Sequence, residues 1–163
     1  MEIIFQGKEV EAFYVPAGTD TCVITFSSKG TRKGGFGEKL LTKFGFSAYH
    51  FVAKRDHWWQ PSEVKDAVAA VKLRLASQSF KQIVGYGTSM GGHGVALFSA
   101  TLGLSRMVLL SPQVSVDSQR YPFERRWENE LSDLVYENDD IPGCISATGE
   151  CLILIDPFMH IDR

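Results

Sequence analysis

The chain has 163 residues, of which 44% are hydrophobic and 22% are charged. This length and composition predict one globular domain with a sizeable core and exclude a disordered chain. The net charge of −2 gives no reason to expect nucleic acid or an anionic membrane as a partner. The N-terminus lacks a basic region followed by a long apolar stretch, so we expect neither a signal peptide nor a membrane-spanning segment.

The three cysteines, Cys22, Cys144 and Cys151, follow no paired spacing. An odd number without a disulfide framework favours a reducing compartment, so we expect the protein in the cytoplasm. Cys22 and Cys151 both lie in apolar runs that are typical of buried strands.

The N-terminal part of the chain predicts three strands. Residues 3–5 and 10–15 have the pattern of a hairpin, because turn-forming residues 6–9 separate them. Residues 22–26 form a third strand that is apolar enough to lie in the centre of a sheet. The polar, glycine-rich loop at 27–35 follows it and therefore lies at the C-terminal edge, where open α/β sheets bind ligands.

Two helices flank a fourth strand at residues 46–53. The first helix is predicted at 36–44 and ends at Gly45. Its apolar face consists of Phe36, Leu40, Leu41 and Phe44. The second helix, at 61–77, has Pro61 at its start and the strongest helical periodicity in the chain. Its apolar stripe, which we expect to face the core, consists of Val64, Ala67, Val68, Val71 and Leu75.

Residues 83–92 carry the most informative pattern in the chain. They predict a buried strand, then a tight turn, then the start of a helix. Within them, residues 87–91 form a G-x-S-x-G pentapeptide, the pattern of a nucleophile elbow. Ser89 is therefore the predicted nucleophile. The N–H of Met90, at the positive end of the helix dipole, is the predicted oxyanion donor. Both glycines are needed because a Cβ beside so tight a turn would meet the neighbouring strand or helix.

Two alternatives apply to the same stretch. A plain glycine-rich turn between a strand and a helix would have the same pattern without a catalytic role. A dinucleotide-binding G-x-G-x-x-G loop is weakly supported, since Met90 stands at the third glycine position. No acidic residue lies between Leu102 and Pro112, where the ribose-binding carboxylate is expected.

The loop at 27–35 and the first turn of the next helix are the neighbours of this elbow. We expect a backbone N–H from residues 27–30, at Ser28 or a neighbour, to be the second oxyanion donor. A mobile, solvated loop is the alternative. His93 is expected to have a structural or substrate-edge role, because a helix start that faces an oxyanion is a poor place for a cation.

A cluster at residues 54–60 places a histidine beside two tryptophans at the edge of the fourth strand. His57 and Trp58 are predicted to bind substrate, particularly sugar rings, whose C–H faces pack on aromatic side chains. The alternative is that these rings cover the core beneath a loop, since tryptophan is heavily buried on average.

The C-terminal third begins with a strand at 107–111. Residues 112–150 then interrupt the alternation of strands and helices, and we interpret them as a lid or insertion, or as a crossover helix with long loops. The last strand, at 151–155, ends in Asp156 at the C-terminal edge. Asp156 is the predicted acid that orients a catalytic histidine, and a turn or cap role is the alternative.

The strand order, the elbow and the late strand ending in Asp156 together resemble the α/β-hydrolase fold superfamily. Residues 85–92 are similar to the elbow of its bacterial serine esterase-like branch. The resemblance implies Ser89 as nucleophile, Met90 as oxyanion donor and Asp156 as acid, in the family order of serine, acid, histidine.

The family's histidine normally follows one further strand, whereas this sequence ends at Arg163. His160 is the one histidine after Asp156. Three explanations stay open, namely a fragment, substitution by His160, or an incomplete triad, and we favour the first or the last.

These observations predict an α/β fold in one domain over residues 1–163, with a mostly parallel sheet and helices on both faces; whether the family's last strand is missing stays open. The predicted function is hydrolysis of a carboxylic ester or similar acyl substrate through an acyl-enzyme on Ser89. A catalytically impaired binding protein and an acyltransferase acting on a sugar are the alternatives. We expect no cofactor and no metal, a small-molecule acyl or sugar-ester substrate, and no nucleic acid or membrane; a homo-oligomer stays open.

Overall fold

A seven-stranded sheet forms the centre of the computed structural model, which describes residues 1–31, 33–122, 124–137, 141–145 and 149–155. The strands are β1 (Glu2–Gln6), β2 (Val10–Val15), β3 (Thr21–Phe26), β4 (Ser47–Ala53), β5 (Gln82–Thr88), β6 (Arg106–Leu110) and β7 (Glu150–Leu154). The helices are α1 (Glu38–Lys43), α2 (Glu63–Ala76), α3 (Met90–Leu97), α4 (Ser99–Leu102), α5 (Glu128–Leu131) and α6 (Ile141–Cys144).

The strands lie side by side in the order β1-β2-β4-β3-β5-β6-β7. β2 is antiparallel to both β1 and β4, whereas β4, β3, β5, β6 and β7 are parallel to one another. This arrangement confirms the predicted α/β class with a mostly parallel sheet. The carboxyl ends of five strands consequently meet at one edge, where the loops that carry the candidate site begin.

Successive side chains of the central strands face opposite layers of helices, as the period of two in a strand requires. On one side, Ile24 and Phe26 of β3 join the larger core together with residues of α2 and α3. On the other side, Val23 and Ala48 pack against Leu41 of α1. The predicted helices on both faces are therefore confirmed. Among the helices of the described residues, none has the length and apolar character that crossing a bilayer demands.

The larger core depends on α2 and on stacked aromatic rings. The apolar stripe predicted for α2 is buried, as expected for a helix that packs on a sheet. Its members are Val64, Ala67, Val68, Val71 and Leu75. Phe26 stacks on Phe51 with ring centroids 4.3 Å apart, and meets Trp59 edge-on at 4.7 Å. Such aromatic pairs stabilise a core beyond their area of burial.

Glu63, in the first turn of α2, holds the β1–β2 hairpin. Its carboxylate accepts hydrogen bonds from the N–H groups of Lys8 at 2.8 Å, Glu9 at 2.8 Å and Val10 at 3.0 Å. Burial raises the pKa of Glu63, but the three backbone donors outweigh that effect and keep the pKa below its ordinary value. The carboxylate therefore joins two elements that lie far apart in the sequence.

The prediction for residues 36–44 was wrong in part, because the helix is shorter and its apolar face is not buried throughout. Gly37 has a φ of 69°, which is outside the helical region, so α1 begins after it. Leu41 is buried as expected. Leu40 and Phe44, however, are 47% and 61% exposed, since the short helix turns only one row of side chains to the sheet.

The prediction that the last strand is buried was also wrong. β7 pairs with β6 as the final strand in the order, and every one of its residues, including Cys151, is exposed. Apolar composition predicts burial, but an edge strand is covered only if another element packs on it. Within the described residues, β6 is the main neighbour of β7.

Candidate active site at the strand-to-helix turn

Ser89 stands on a sharp turn between β5 and α3. Its backbone has φ 50° and ψ −125°, a conformation that residues with a Cβ rarely adopt. Ser89 is partly exposed, whereas α3 behind it is buried throughout. A strained residue between a central, partly buried strand and a buried helix is the local geometry that the G-x-S-x-G pattern predicts.

Two glycines make this turn sterically feasible. A Cβ on Gly87 would lie 2.6 Å from the carbonyl oxygen of Gly91, in the first turn of α3. A Cβ on Gly91 would collide with the carbonyl oxygen of Phe26, at the end of β3. The expectation that both positions require glycine is therefore confirmed, and the physical reason is the close approach of β3, β5 and α3.

The non-glycine residues with positive φ cluster at this edge of the sheet. The described non-glycine residues with positive φ are Trp58, Trp59, Ser89 and Ser111. They follow β4, β5 and β6, which are parallel strands whose carboxyl ends meet there. Backbone strain of this kind concentrates at functional sites, where the surrounding structure over-determines it.

Met90, the first residue of α3, has a buried side chain, so it can contribute to the site only through its backbone. Its N–H is one of the first four in the helix, which have no acceptor within the helix. Its carbonyl oxygen accepts a hydrogen bond from Trp59 Nε1 at 2.9 Å, and this bond ties the turn to the loop after β4. The oxyanion role of Met90 stays a prediction.

The loop after β3 lies directly beside the elbow. Ser27 N–H donates to the Phe51 carbonyl oxygen at 2.8 Å, and this bond extends the β3–β4 pairing by one residue. Ser28 Oγ lies 3.5 Å from the Thr88 carbonyl oxygen, one residue before Ser89. Further along, Gly30 N–H donates to Asp56 Oδ1 at 2.9 Å. The structure thus brings Ser28 next to the nucleophile candidate, and its role as second oxyanion donor stays a prediction.

Gln113 is a site residue that sequence reasoning missed. Its Oε1 accepts hydrogen bonds from Ser89 Oγ and from Trp58 Nε1, both at 3.3 Å. Gln113 is 7% exposed and follows β6 at the same edge of the sheet as Ser89. A polar residue just beyond the end of a predicted parallel strand was the available signal, but nothing in the sequence connected it to Ser89.

The two predicted substrate-binding residues, His57 and Trp58, are fully buried in this structure. His57 Nε2 lies 3.2 Å from the Glu9 carbonyl oxygen, and its Nδ1 accepts a hydrogen bond from Trp59 N–H at 3.0 Å. These contacts explain how His57 holds the loop after β4. Trp58 is connected to Ser89 through Gln113, whose Oε1 accepts a hydrogen bond from each of them. Contact of either residue with a substrate stays a prediction.

His93 connects α3 to the segment after β6. Its Nδ1 lies 2.9 Å from the Gln113 carbonyl oxygen, which can only accept, so Nδ1 carries the proton. Burial lowers the pKa of His93 to about 4, against the smaller opposing effect of this hydrogen bond. His93 is therefore neutral near pH 7, and the structural or substrate-edge role expected for it stays a prediction.

The predicted acid, Asp156, lies outside the described residues, and so does His160. The histidines of the described part of the chain are His50, His57 and His93, and all three are buried. The hydrogen-bond partner that the described residues offer to Ser89 Oγ is the Gln113 amide. They contain no group of three or more histidine, cysteine or carboxylate side chains placed to hold a metal ion.

The segment between β6 and β7 reaches the site through Trp127. The rings of Trp58 and Trp127 lie 5.1 Å apart, and Lys29 Nζ lies 3.9 Å from the centre of the Trp127 ring. Leu131 and Ile141 of the same segment are buried in the larger core. These contacts connect the segment to both the elbow's neighbours and the core, while its role as a lid stays a prediction.

No protein-family model and no curated protein matches the chain. Solved structures do match it. The capsule O-acetyltransferase of Neisseria meningitidis serogroup A is 15% identical with a TM-score of 0.66, over 93% of this chain and 72% of that one. FphF, a fluorophosphonate-binding serine hydrolase of Staphylococcus aureus, is 13% identical with a TM-score of 0.60, over 94% of this chain and 75% of that one.

A third structure carries the name of the fold. MGS-MChE2, an alpha/beta hydrolase enzyme from the metagenome of sediments of the Mar Chica lagoon in Morocco, is 12% identical with a TM-score of 0.52. The match covers 95% of this chain and 75% of that one. At such low identity the likeness concerns architecture, and the strand order and the strand-to-helix turn agree with it. The chain therefore has the α/β-hydrolase fold.

Proposed function

We propose that the chain is a serine hydrolase that acts on a carboxylic ester or a similar acyl substrate, with Ser89 as the nucleophile. The observation that carries this proposal is the backbone of Ser89, at φ 50° and ψ −125° on the turn into α3. A partly exposed serine held in a strained conformation at a helix N-terminus is suited to attack a carbonyl group.

The reaction would proceed in two acyl-transfer steps. Ser89 Oγ attacks the carbonyl carbon while its proton passes to a histidine, and the alcohol leaves with that proton. Water then attacks the acyl-enzyme and gives a proton to the same histidine, the bond between the acyl carbon and Ser89 Oγ breaks, Ser89 Oγ takes that proton back, and the acid is released. Asp156 is proposed to orient the histidine. Apart from the substrate and water, the scheme uses only groups of the protein, so the proposed reaction requires no cofactor.

The negative charge on the carbonyl oxygen would be stabilised by backbone donors on two sides. The Met90 N–H lies at the start of the eight-residue helix α3, where the helix dipole is positive. The loop that contains Ser28 lies against Thr88 and is proposed to supply the second donor. Removing one oxyanion donor typically costs about 10²–10³-fold in kcat, so this pair would be a major part of catalysis.

The substrate is proposed to be a small or sugar ester that enters between the loops after β3, β4 and β6. Trp58 and His57 are proposed to contribute to this region, and the segment that carries Trp127 to cover it. The ammonium group of Lys29, in the loop after β3, lies over the ring of Trp127, in the segment after β6. This contact joins two of the segments that would surround the substrate. The odd number of cysteines without a disulfide framework supports a reducing compartment, so we propose that the protein is located in the cytoplasm.

A catalytically impaired binding protein is the second candidate. It is favoured by the contact of Ser89 Oγ with the neutral amide of Gln113, since an amide cannot take the serine's proton. An acyltransferase that uses a sugar hydroxyl in place of water is a variant of the first proposal. The structural likeness to the capsule O-acetyltransferase supports keeping that variant.

Labelling with a fluorophosphonate probe separates enzyme from binding protein. We expect the native chain to become covalently labelled and Ser89→Ala to remain unlabelled. Ser79→Ala, a change at an exposed loop residue remote in sequence from the elbow, is the matched control and should be labelled like the native chain. Absence of labelling in the native chain, with folding verified by circular dichroism, would support the binding protein.

A further inference from the structure

Gln113 bridges the nucleophile candidate to the loop after β4. Its Oε1 lies 3.3 Å from Ser89 Oγ and 3.3 Å from Trp58 Nε1. Trp58 is fully buried and Gln113 nearly so. Water therefore has little access to this amide oxygen, and Ser89 and Trp58 supply the hydrogen bonds that it accepts.

The chemistry of the indole determines which way the amide points. An indole N–H can only donate, so the atom that it meets must be the oxygen of Gln113 and not its nitrogen. An amide oxygen has two lone pairs, and Trp58 and Ser89 account for both. Because Trp58 orients the amide of Gln113, Oε1 accepts from the Ser89 hydroxyl at one fixed position and from one direction.

The backbone of Gln113 is held from the opposite side. His93 Nδ1–H donates to its carbonyl oxygen at 2.9 Å, and His93 is buried in α3, the helix that begins just after Ser89. Gln113 is thus fixed at its backbone by α3 and at its side chain by the loop after β4. Both contacts come from elements that adjoin the nucleophile candidate, so movement of Gln113 relative to Ser89 is restricted.

We propose that Gln113 is a positioning residue for Ser89. Its amide oxygen holds the serine hydroxyl in one rotamer before substrate binds, and the hydroxyl passes from Gln113 to the catalytic base when attack begins. The amide takes no proton, so its effect is on orientation. This inference rests on the proposed hydrolase function for its kinetic consequence, while the geometry itself can be tested without activity.

The test compares Gln113→Leu with Gln113→Glu. Leucine removes the acceptor at similar size, whereas glutamate keeps an oxygen in the position of Oε1. Gln119→Leu is the matched control, because Gln119 is exposed in the same segment after β6. Two quantities are measured on each variant: the rate of fluorophosphonate labelling, and the NMR resonances of the Ser89 Cβ and the Trp58 indole N–H. The chain has three tryptophans, so Trp→Phe variants assign the indole signals.

We expect Gln113→Leu to be labelled about threefold more slowly, because the Ser89 hydroxyl would sample about three staggered rotamers instead of the one that Gln113 holds. Both resonances should move in this variant. Gln113→Glu should recover most of the rate and leave the resonances near their native positions, and Gln119→Leu should match the native chain. A role in packing alone would not give this recovery, since both substitutions preserve volume to a similar degree.

Native labelling speed in Gln113→Leu with an unmoved Ser89 resonance would overturn the proposal and leave the hydrolase intact. Failure of Gln113→Glu to exceed Gln113→Leu would also overturn it. If the native chain is not labelled, the hydrolase proposal fails and the resonances alone decide the positioning role. If Gln113→Leu does not fold, Trp58→Phe tests the same bridge from its other end, and an unmoved Ser89 resonance there would reject it.

Discussion

Gly91 packs directly against the carbonyl group of Phe26. A Cβ built on Gly91 would lie 3.1 Å from the carbonyl carbon of Phe26 and closer still to its oxygen. The contact joins the first turn of α3 to the end of β3, and it keeps the elbow and the neighbouring loop together. The backbone atoms involved cannot rotate away as a side chain could, so the position tolerates only hydrogen.

Substituting Gly91 therefore should destabilise the whole domain. We expect Gly91→Ala to lower the free energy of unfolding by about 1–3 kcal/mol or more, the cost of forcing extra volume into a packed interior. Urea denaturation followed by circular dichroism measures it. Gly18→Ala is the control, because a Cβ there meets nothing within 4 Å. Equal midpoints for the two variants would contradict the structure.

Replacing Ser89 should reveal the strain at the elbow. Glycine adopts positive φ without a steric penalty, whereas alanine carries the same cost as serine. We expect Ser89→Gly to be more stable than Ser89→Ala by about 1 kcal/mol, although neither is labelled by a fluorophosphonate. The same pair at Ser79, where φ is not positive, should show no gain for glycine. A glycine variant less stable than the alanine variant at position 89 would refute the strained geometry.

Two buried histidines should make stability depend on pH between about 4 and 6.5. Burial lowers the pKa of both His50 and His93 to about 4, while the unfolded value is about 6.5. Below pH 6.5 the unfolded chain binds protons that the folded chain does not, so stability is full above this pH and falls as pH decreases. The expected slope is up to about 1.4 kcal/mol per pH unit for each histidine.

His93→Gln should remove one of these two contributions. Unfolding free energies measured in urea at pH 7, 6 and 5 should fall less steeply in this variant than in the native chain. His50→Gln is the matched comparison and should reduce the slope in a similar way. The same slope in the native chain and in both variants would show that neither histidine is neutral and buried.

Glu63 should contribute to stability at neutral pH through its three backbone donors. We expect Glu63→Ala to lower the free energy of unfolding by about 1–3 kcal/mol, since three backbone N–H groups, two of them in part-buried bonds, lose a charged acceptor. Asp66→Ala, at an exposed residue in the same turn of α2, should change it little. Because the pKa of Glu63 is lowered from 4.5, the difference between the variants should persist above that pH and disappear as pH falls well below it.

The acid and the base of the proposed triad can be tested by substitution. Asp156→Asn should reduce ester hydrolysis by about 10³–10⁴-fold, because an amide holds the histidine in the wrong tautomer. His160→Ala measures whether His160 is that histidine. Hydrolysis of a nitrophenyl ester is the assay, with loss of activity in Ser89→Ala as the reference. Unchanged hydrolysis in His160→Ala would exclude this residue as the base.

The local features of the fold could be predicted from the residues alone. A serine between two glycines at the end of an apolar run defines the elbow, because only glycine permits such a turn. The stripe that begins at Val64 predicts α2, because its period matches one face of a helix. In each case the information lies within a few neighbouring positions, where steric rules act directly.

Other features depended on which distant segments meet. Gln113 is 24 positions from Ser89, and the bond between them exists because β5 and β6 are neighbours in the sheet. The exposure of β7 follows from its place in the strand order, and the three hairpin donors of Glu63 follow from the docking of α2. Periodicity and composition report what a segment can form, but the partner of a side chain is determined by the packing of the whole chain.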